Sequence, residues 1–205
     1  MFQFSLNNSE STLLIEKINF SFEELLGIVD LNKEDEMQFL KFKNNRRKKE
    51  WLSVRYLLSK ICKDEVSIKY NEDGKPFLSN NKYISISHSG NYIGIIISNK
   101  KYIGLDIEKI SNKLEKIKHK YLNKFELDIA AKSNNPIETL TKFWCAKEAM
   151  YKLYSKKNLI FDKQLLIKNI DEKNQNIFAE IKTKTTEKIK LSYKKEADYY
   201  FVWAL

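Results

Sequence analysis

Glycine, proline and cysteine are all scarce in this chain of 205 residues, which has five glycines, two prolines and two cysteines. So few glycines and prolines leave little room for long linkers. The two cysteines, Cys62 and Cys145, provide neither a disulfide framework nor the spacing of a zinc finger. No apolar run approaches the length that spans a membrane, and the first residues lack the layout of a signal peptide. We therefore expect a reduced, cytoplasmic protein that makes no use of a membrane.

Positive charge, by contrast, is abundant. Lysine and arginine number 37 against 27 aspartates and glutamates, which gives a net charge of +10. Such a balance favours polyanionic partners, namely nucleic acid, an anionic membrane or an acidic protein that carries phosphates. The densest cluster is Lys41 to Lys49, with six basic residues in nine. It is either a solvated turn between two helices or a patch that binds phosphate.

Hydrophobic periodicity predicts an α+β chain with mostly antiparallel sheet. In the first predicted helix, Leu31, Met37, Phe39 and Leu40 are expected to face inward. The segments 92–98 and 101–108 are expected to pair as a hairpin that turns at Asn99 and Lys100. The predicted strands cover residues 2–4, 13–15, 66–70, 83–89, 177–181, 189–193 and 199–203. The predicted helices cover residues 30–42, 51–61, 112–132 and 136 to about 158.

The segment 104–108, Gly-Leu-Asp-Ile-Glu, is predicted to be a strand with two unlike faces. Leu105 and Ile107 share one face with Ile103, so Asp106 and Glu108 share the other. A strand of this kind is often only a solvated surface. Its two carboxylates nevertheless lie on the same side, where they could act together.

The segment 144–152, Trp-Cys-Ala-Lys-Glu-Ala-Met-Tyr-Lys, lies late in a predicted helix that begins after Asn135, a good N-cap, with Pro136 in its first turn. Trp144, Glu148 and Lys152 recur every four residues and form one stripe. Glu148 and Lys152 could be an ordinary surface ion pair. Together with the strand carboxylates, however, they are suitable ligands for a divalent cation and a phosphorylated molecule.

These two segments together resemble the signature of the 4′-phosphopantetheinyl transferases of the surfactin-synthetase-activating (Sfp-like) type. The resemblance extends from about residue 30 to residue 152. It implies two similar α/β halves, residues 1–100 and 101–205, related by a pseudo-two-fold axis, with coenzyme A in the cleft between them. It also implies Mg²⁺-dependent transfer of 4′-phosphopantetheine from coenzyme A to a carrier-protein serine, with release of 3′,5′-ADP.

The resemblance further implies roles for particular residues. Asp106, Glu108 and Glu148 would hold Mg²⁺, and Lys152 would bind the phosphate that leaves. The base that deprotonates the serine would be Glu148, a metal-bound water, or Glu126 in the segment Phe-Glu-Leu.

A second set of residues matches the nucleotide-binding positions of the family. Arg46 or Arg47, Lys75 in Gly-Lys-Pro, and Ser87 with His88 in Ile-Ser-His-Ser-Gly would hold the nucleotide and its 3′-phosphate.

The partner implied by the family is an acidic apo acyl carrier or peptidyl carrier protein, and the basic region 113–133 is the expected docking surface. We expect a monomer that binds no nucleic acid. Two other interpretations stay open: a basic nucleic-acid-binding module and an inactive relative that only binds. Whether the carrier serves fatty-acid, polyketide or nonribosomal-peptide synthesis also stays open.

Overall fold

The chain forms two compact units, Met1–Lys100 and Lys101–Leu205. The structure is a computed structural model that describes residues 2–155 and 158–205. Each unit combines one antiparallel β-sheet with helices, so the predicted α+β class is confirmed. Within the described residues, no helix has both the length and the apolar content needed to cross a membrane.

The first unit contains a six-stranded sheet in the order β1-β2-β6-β5-β4-β3. Its strands are β1 (Gln3–Asn7), β2 (Ser11–Lys17), β3 (Ile68–Tyr70), β4 (Pro76–Leu78), β5 (Tyr83–Ser89) and β6 (Tyr92–Ser98). Its helices are α1 (Phe22–Ile28), α2 (Lys33–Leu40) and α3 (Asn45–Ile61). Trp51, Val54, Leu57 and Leu58 of α3 are buried in the core of this unit.

The second unit contains a five-stranded sheet in the order β7-β11-β10-β9-β8. Its strands are β7 (Gly104–Lys109), β8 (Leu165–Asp171), β9 (Asn176–Lys182), β10 (Thr186–Glu196) and β11 (Tyr199–Ala204). Its helices are a 3₁₀ helix (Asn112–Ile117), α4 (Lys118–Tyr121), α5 (Lys124–Lys132), α6 (Pro136–Tyr154) and α7 (Phe161–Gln164). The apolar face of α6 forms much of the core of this unit.

The predicted hairpin of residues 92–98 and 101–108 is wrong, because its two strands belong to different sheets. β6 pairs with β2 and β5, whereas β7 pairs with β11. Both segments form strands as expected, but the pattern of a single strand does not identify its partner. The segment between them connects the two units instead of forming a tight turn.

The expected inward face of the helix near residue 30 is also wrong in part. Met37 and Leu40 are 60% and 77% exposed, and the buried positions of α2 are Asp35 and Phe39. The helix begins at Lys33, because the side chain of Asn32 accepts a hydrogen bond from the Asp35 backbone N–H. Asp35 takes an inward position because it forms a buried ion pair with Arg55, at 3.0 Å.

Two helix lengths differ from the prediction. The region 112–132 is three short helices instead of one, and Leu122 and Asn123 separate the last two. α6 ends at Tyr154, since Ser155 adopts a left-handed conformation with φ 58°. The predicted end near Asn158 is therefore too late, and residues 156–157 lie outside the described residues.

Candidate active site

Strand β7 lies directly against helix α6, and a glycine makes this contact possible. A Cβ atom added to Gly104 would lie 2.1 Å from the Ala149 carbonyl oxygen and 3.0 Å from the Leu153 Cβ atom. No side chain fits at such a distance, so only glycine allows the two backbones to approach this closely. The contact brings the carboxylates that follow on β7 next to the polar stripe of α6.

The two strand carboxylates face the stripe of α6 as the alternation predicted. Leu105 and Ile107 are buried in the core, and Asp106 and Glu108 lie on the opposite face of β7. The Lys152 Nζ atom donates to Asp106 Oδ1 at 2.8 Å and to the Leu105 carbonyl oxygen at 2.9 Å. Lys152 thus reaches across to the strand, and its ion-pair partner is Asp106.

Trp144, one turn before Glu148, also points toward the strand. Its indole favours the ionised form of Glu108 and so opposes the rise in the pKa of that carboxyl. The indole stacks on Phe161 at 5.7 Å and meets the edge of the Tyr121 ring at 5.0 Å. All three residues of the predicted stripe therefore lie where their spacing indicated.

The three carboxylates are close enough to perturb one another. Burial first, and then the charge of Asp106, raises the pKa of Glu108 to about 7. The same two causes, in the same order, raise the pKa of Glu148 to about 7. One ammonium, that of Lys152, partly opposes these shifts. One ammonium does not balance the charge of three ionised carboxylates, and so their ionised forms are disfavoured.

This set of donors suits a hard divalent cation. Mg²⁺ prefers oxygen ligands, and its two charges would favour the ionised forms of Glu108 and Glu148. Among residues 2–155 and 158–205, however, no three His, Cys, Asp or Glu side chains are arranged to hold a metal ion. The assignment of Asp106, Glu108 and Glu148 to Mg²⁺ stays a prediction, supported by donor chemistry.

Glu126, one of the three suggested bases, is wholly buried and serves the fold. Its Oε2 atom accepts from Lys147 Nζ at 2.7 Å and from the Asn123 backbone N–H at 2.9 Å, and its Oε1 atom accepts from the Ile167 backbone N–H at 2.8 Å. Neither Glu126 nor Lys147 has any exposed side-chain surface. A base must reach the proton that it removes, so the structure argues against this role for Glu126.

The first unit holds a separate cluster of cations at the start of α3. Arg46 and Arg47 lie in the first turn of the helix, and His88 lies at the end of β5. All three contact Glu50: the Arg46 Nε atom at 3.0 Å, the Arg47 guanidinium at 3.7 Å and the His88 Nε2 atom at 3.6 Å. Glu50 was not predicted from the sequence. It follows the two arginines by three and four residues, however, and this spacing is typical of ion pairs on a helix.

A pocket of about 320 Å³ lies beside this cluster. Arg46, Lys49 and Glu50 line one side of it, and the turn at Gly90 and Asn91 lines the other. Gly90 has φ 57°, a left-handed conformation that glycine adopts without strain. Cationic side chains and the backbone of the Gly90 turn therefore both line the pocket.

The other two residues expected to bind the nucleotide lie on β5 and in the turn before β4. Ser87 is buried and, being next to His88 on a strand, points to the opposite face of the sheet. Lys75 lies in the turn between β3 and β4, where its backbone N–H donates to the Asn71 side chain at 2.8 Å. The structure therefore brings Arg46, Arg47 and His88 together around Glu50.

Comparison with known proteins finds a match in the part of the chain that contains Asp106, Glu108, Glu148 and Lys152. Residues 102–203 match the 4′-phosphopantetheinyl transferase superfamily. This matching segment contains β7 and α6.

Three relatives illustrate the similarity. The chain is 31% identical to the 4′-phosphopantetheinyl transferase gsp of Aneurinibacillus migulanus, over 52% of this chain and 46% of that protein. It is 30% identical to the 4′-phosphopantetheinyl transferase AcpT of Escherichia coli K12, over 52% of this chain and 57% of AcpT. It is 36% identical to AcpT of Salmonella typhi, over 31% of this chain and 34% of AcpT. The matched part therefore spans between a third and somewhat over half the length of these relatives.

Proposed function

We propose that this protein transfers 4′-phosphopantetheine from coenzyme A to a serine hydroxyl of an apo carrier protein, with release of 3′,5′-ADP. The observation that carries the proposal is the group of Asp106, Glu108, Glu148 and Lys152, which lies in the segment that matches the superfamily. The order of the two segments and the length of the chain favour the Sfp-like form of these enzymes.

In the proposed reaction, the serine oxygen bonds to the phosphorus atom that carries pantetheine. The bond from that phosphorus to the bridging oxygen breaks, and 3′,5′-ADP leaves with the electron pair. Glu148 accepts the serine proton as the general base. The nucleophile belongs to the partner, so this chain needs no reactive serine or cysteine of its own.

Asp106, Glu108 and Glu148 are the residues that would hold Mg²⁺, which would neutralise charge on the diphosphate. Lys152 keeps its ammonium on this face through Asp106 and the Leu105 carbonyl. An ammonium has three donors, and the third is suited to a phosphate oxygen. Lys152 is thereby oriented to stabilise the leaving phosphate.

Coenzyme A carries a diphosphate and a 3′-phosphate, so its binding requires several cations. Arg46, Arg47 and His88 form the cationic cluster of the first unit, and Arg46 and Lys49 line the pocket beside it. We assign the nucleotide to this cluster. Ser87 and Lys75 stay in the proposal as positions that match the family.

The carrier is proposed to dock on the region 113–133. Exposed lysines at 113, 116, 120 and 124 provide positive charge for an acidic partner. Phe125 is 54% exposed beside Lys124 and would serve as an apolar anchor in the same surface. We propose further that the protein acts as a monomer in the cytoplasm.

The test is mass spectrometry of apo carrier proteins of the fatty-acid, polyketide and peptide classes after incubation with this chain, coenzyme A and Mg²⁺. At least one carrier should gain a single phosphopantetheine. Glu148→Ala is the inactive control, and Glu10→Gln, at an exposed pair with Lys100, is the matched control that should keep the activity. If no carrier gains the group although coenzyme A binds, the proposed activity is wrong.

A further inference from the structure

Glu50 is an anion inside a cluster of cations that the proposed function assigns to phosphate. It lies on α3, one turn after Arg46 and Arg47, and only 15% of its side chain is exposed. Its Oε1 atom accepts from Arg46, and its Oε2 atom faces both Arg47 and His88. One carboxylate thus contacts cationic groups from two different elements of the same unit.

The contact with His88 limits what else can bind there. The Nε2 atom of an imidazole carries at most one hydrogen, so it can donate to one acceptor at full strength. In this structure that atom lies 3.6 Å from Glu50 Oε2. This is a contact between charged groups, longer than a hydrogen bond, so a phosphate that accepts the Nε2 hydrogen would take the position beside His88 that the Glu50 carboxylate now holds.

The remaining contacts of Glu50 are easily broken. The side chains of Arg46 and Arg47 are 80% and 53% exposed, and exposed ion pairs contribute little to stability. A phosphate offers more negative charge and more acceptor oxygens than a carboxylate, and arginine binds both groups in the same geometry. Exchange of one anion for the other is therefore favourable.

We propose that Glu50 is a placeholder anion, which holds Arg46, Arg47 and His88 together until a phosphate group of the nucleotide displaces it. This inference rests on the proposed function for the identity of the ligand. Glu50 then weakens phosphate binding, because each bound phosphate must first break its contacts. It also keeps the cations from binding other anions while the pocket is empty.

The experiment is calorimetric titration of 3′,5′-ADP into the wild-type protein, Glu50→Gln and Glu10→Gln. Glu50→Gln keeps the size of the side chain and removes its charge, so 3′,5′-ADP should bind several-fold to about tenfold more tightly. Glu10→Gln removes one negative charge from the same unit at a distant pair and should bind as the wild type does. Glu50→Ala is a second variant, for which the same direction is expected.

A double variant separates displacement from a general charge effect. With His88→Ala already present, Glu50→Gln should give a smaller gain, because the donor that it releases is missing. Equal or weaker binding by both Glu50 variants would overturn the inference, and so would an absence of 3′,5′-ADP binding to every protein. Transfer of phosphopantetheine, measured separately, judges the proposed function, so the two failures are distinguishable.

Discussion

Replacement of Glu148 by glutamine should stabilise the metal-free protein at pH 8 while it removes the activity. Glu148 lies beside Asp106 and Glu108, and burial together with the charge of Asp106 raises its pKa to about 7. Above that pH the folded protein must hold an ionised carboxylate in an unfavourable environment. Glutamine has nearly the same shape and no charge, so it removes this cost.

The size and the sign of the effect follow from the two pKa values. The ordinary pKa is 4.5 and the value in the fold is about 7, and each pKa unit corresponds to about 1.4 kcal/mol. Because the pKa is raised on folding, the stabilising contribution of protonated Glu148 is present below pH 4.5 and is lost as the pH rises through 7. The wild type should lose up to about 3 kcal/mol of unfolding free energy over this range.

The assay is urea unfolding with EDTA at pH 5 and pH 8. Glu148→Gln should be more stable than the wild type at pH 8, and the difference should narrow at pH 5. Glu115→Gln, at an exposed pair with Lys118, is the matched control and should show no such pH dependence. Added Mg²⁺ should raise the unfolding midpoint of the wild type more than that of Glu148→Gln. A variant that is no more stable than the wild type at pH 8 would refute the argument that the carboxylates repel one another.

Further predictions concern the parts that support this group. Gly104→Ala should lower the unfolding free energy by about 1–3 kcal/mol, because its Cβ overlaps a backbone oxygen; an unchanged melting temperature would contradict this. Lys147→Met should cost about 3–5 kcal/mol by leaving Glu126 buried and unpaired, and adding Glu126→Gln should restore both stability and transfer. If Glu126 were the base, transfer would not return. Lys152→Ala should lower kcat in a Mg²⁺ titration without shifting the Mg²⁺ dependence. Phe125→Ala should raise the KM for the carrier about fivefold or more but leave the KM for coenzyme A unchanged.

Local periodicity was sufficient to predict the strand that carries Asp106 and Glu108 and the helix that carries Glu148 and Lys152. The alternation around Asp106 and the four-residue spacing of Trp144, Glu148 and Lys152 correctly predicted which side chains share a face. Asn135 caps α6 through a hydrogen bond from the Glu138 backbone N–H, as the local sequence indicated. These features depend on neighbours within about four residues, so they can be predicted from the local sequence.

Features that depend on distant partners were not predictable in the same way. β6 and β7 follow one another in the chain, yet their partners on β2 and β11 lie up to 100 residues away. The inward face of α2 depends on Arg55, whose guanidinium makes it favourable to bury Asp35. β8, which the sequence analysis missed, has a half-polar pattern and is defined by its pairing with β9.

Lys147 and Glu148 show how far residue type alone can mislead. They are adjacent in the motif, and both are charged, but consecutive residues of a helix point about 100° apart. Lys147 faces the core, where its ammonium donates to Glu126 and to the carbonyl oxygens of Tyr121 and Phe161, at 2.7–3.0 Å. Glu148 faces Asp106 and keeps a raised pKa. A buried charge with every hydrogen bond satisfied stabilises the fold, whereas a partly exposed charge beside like charges is available to a ligand.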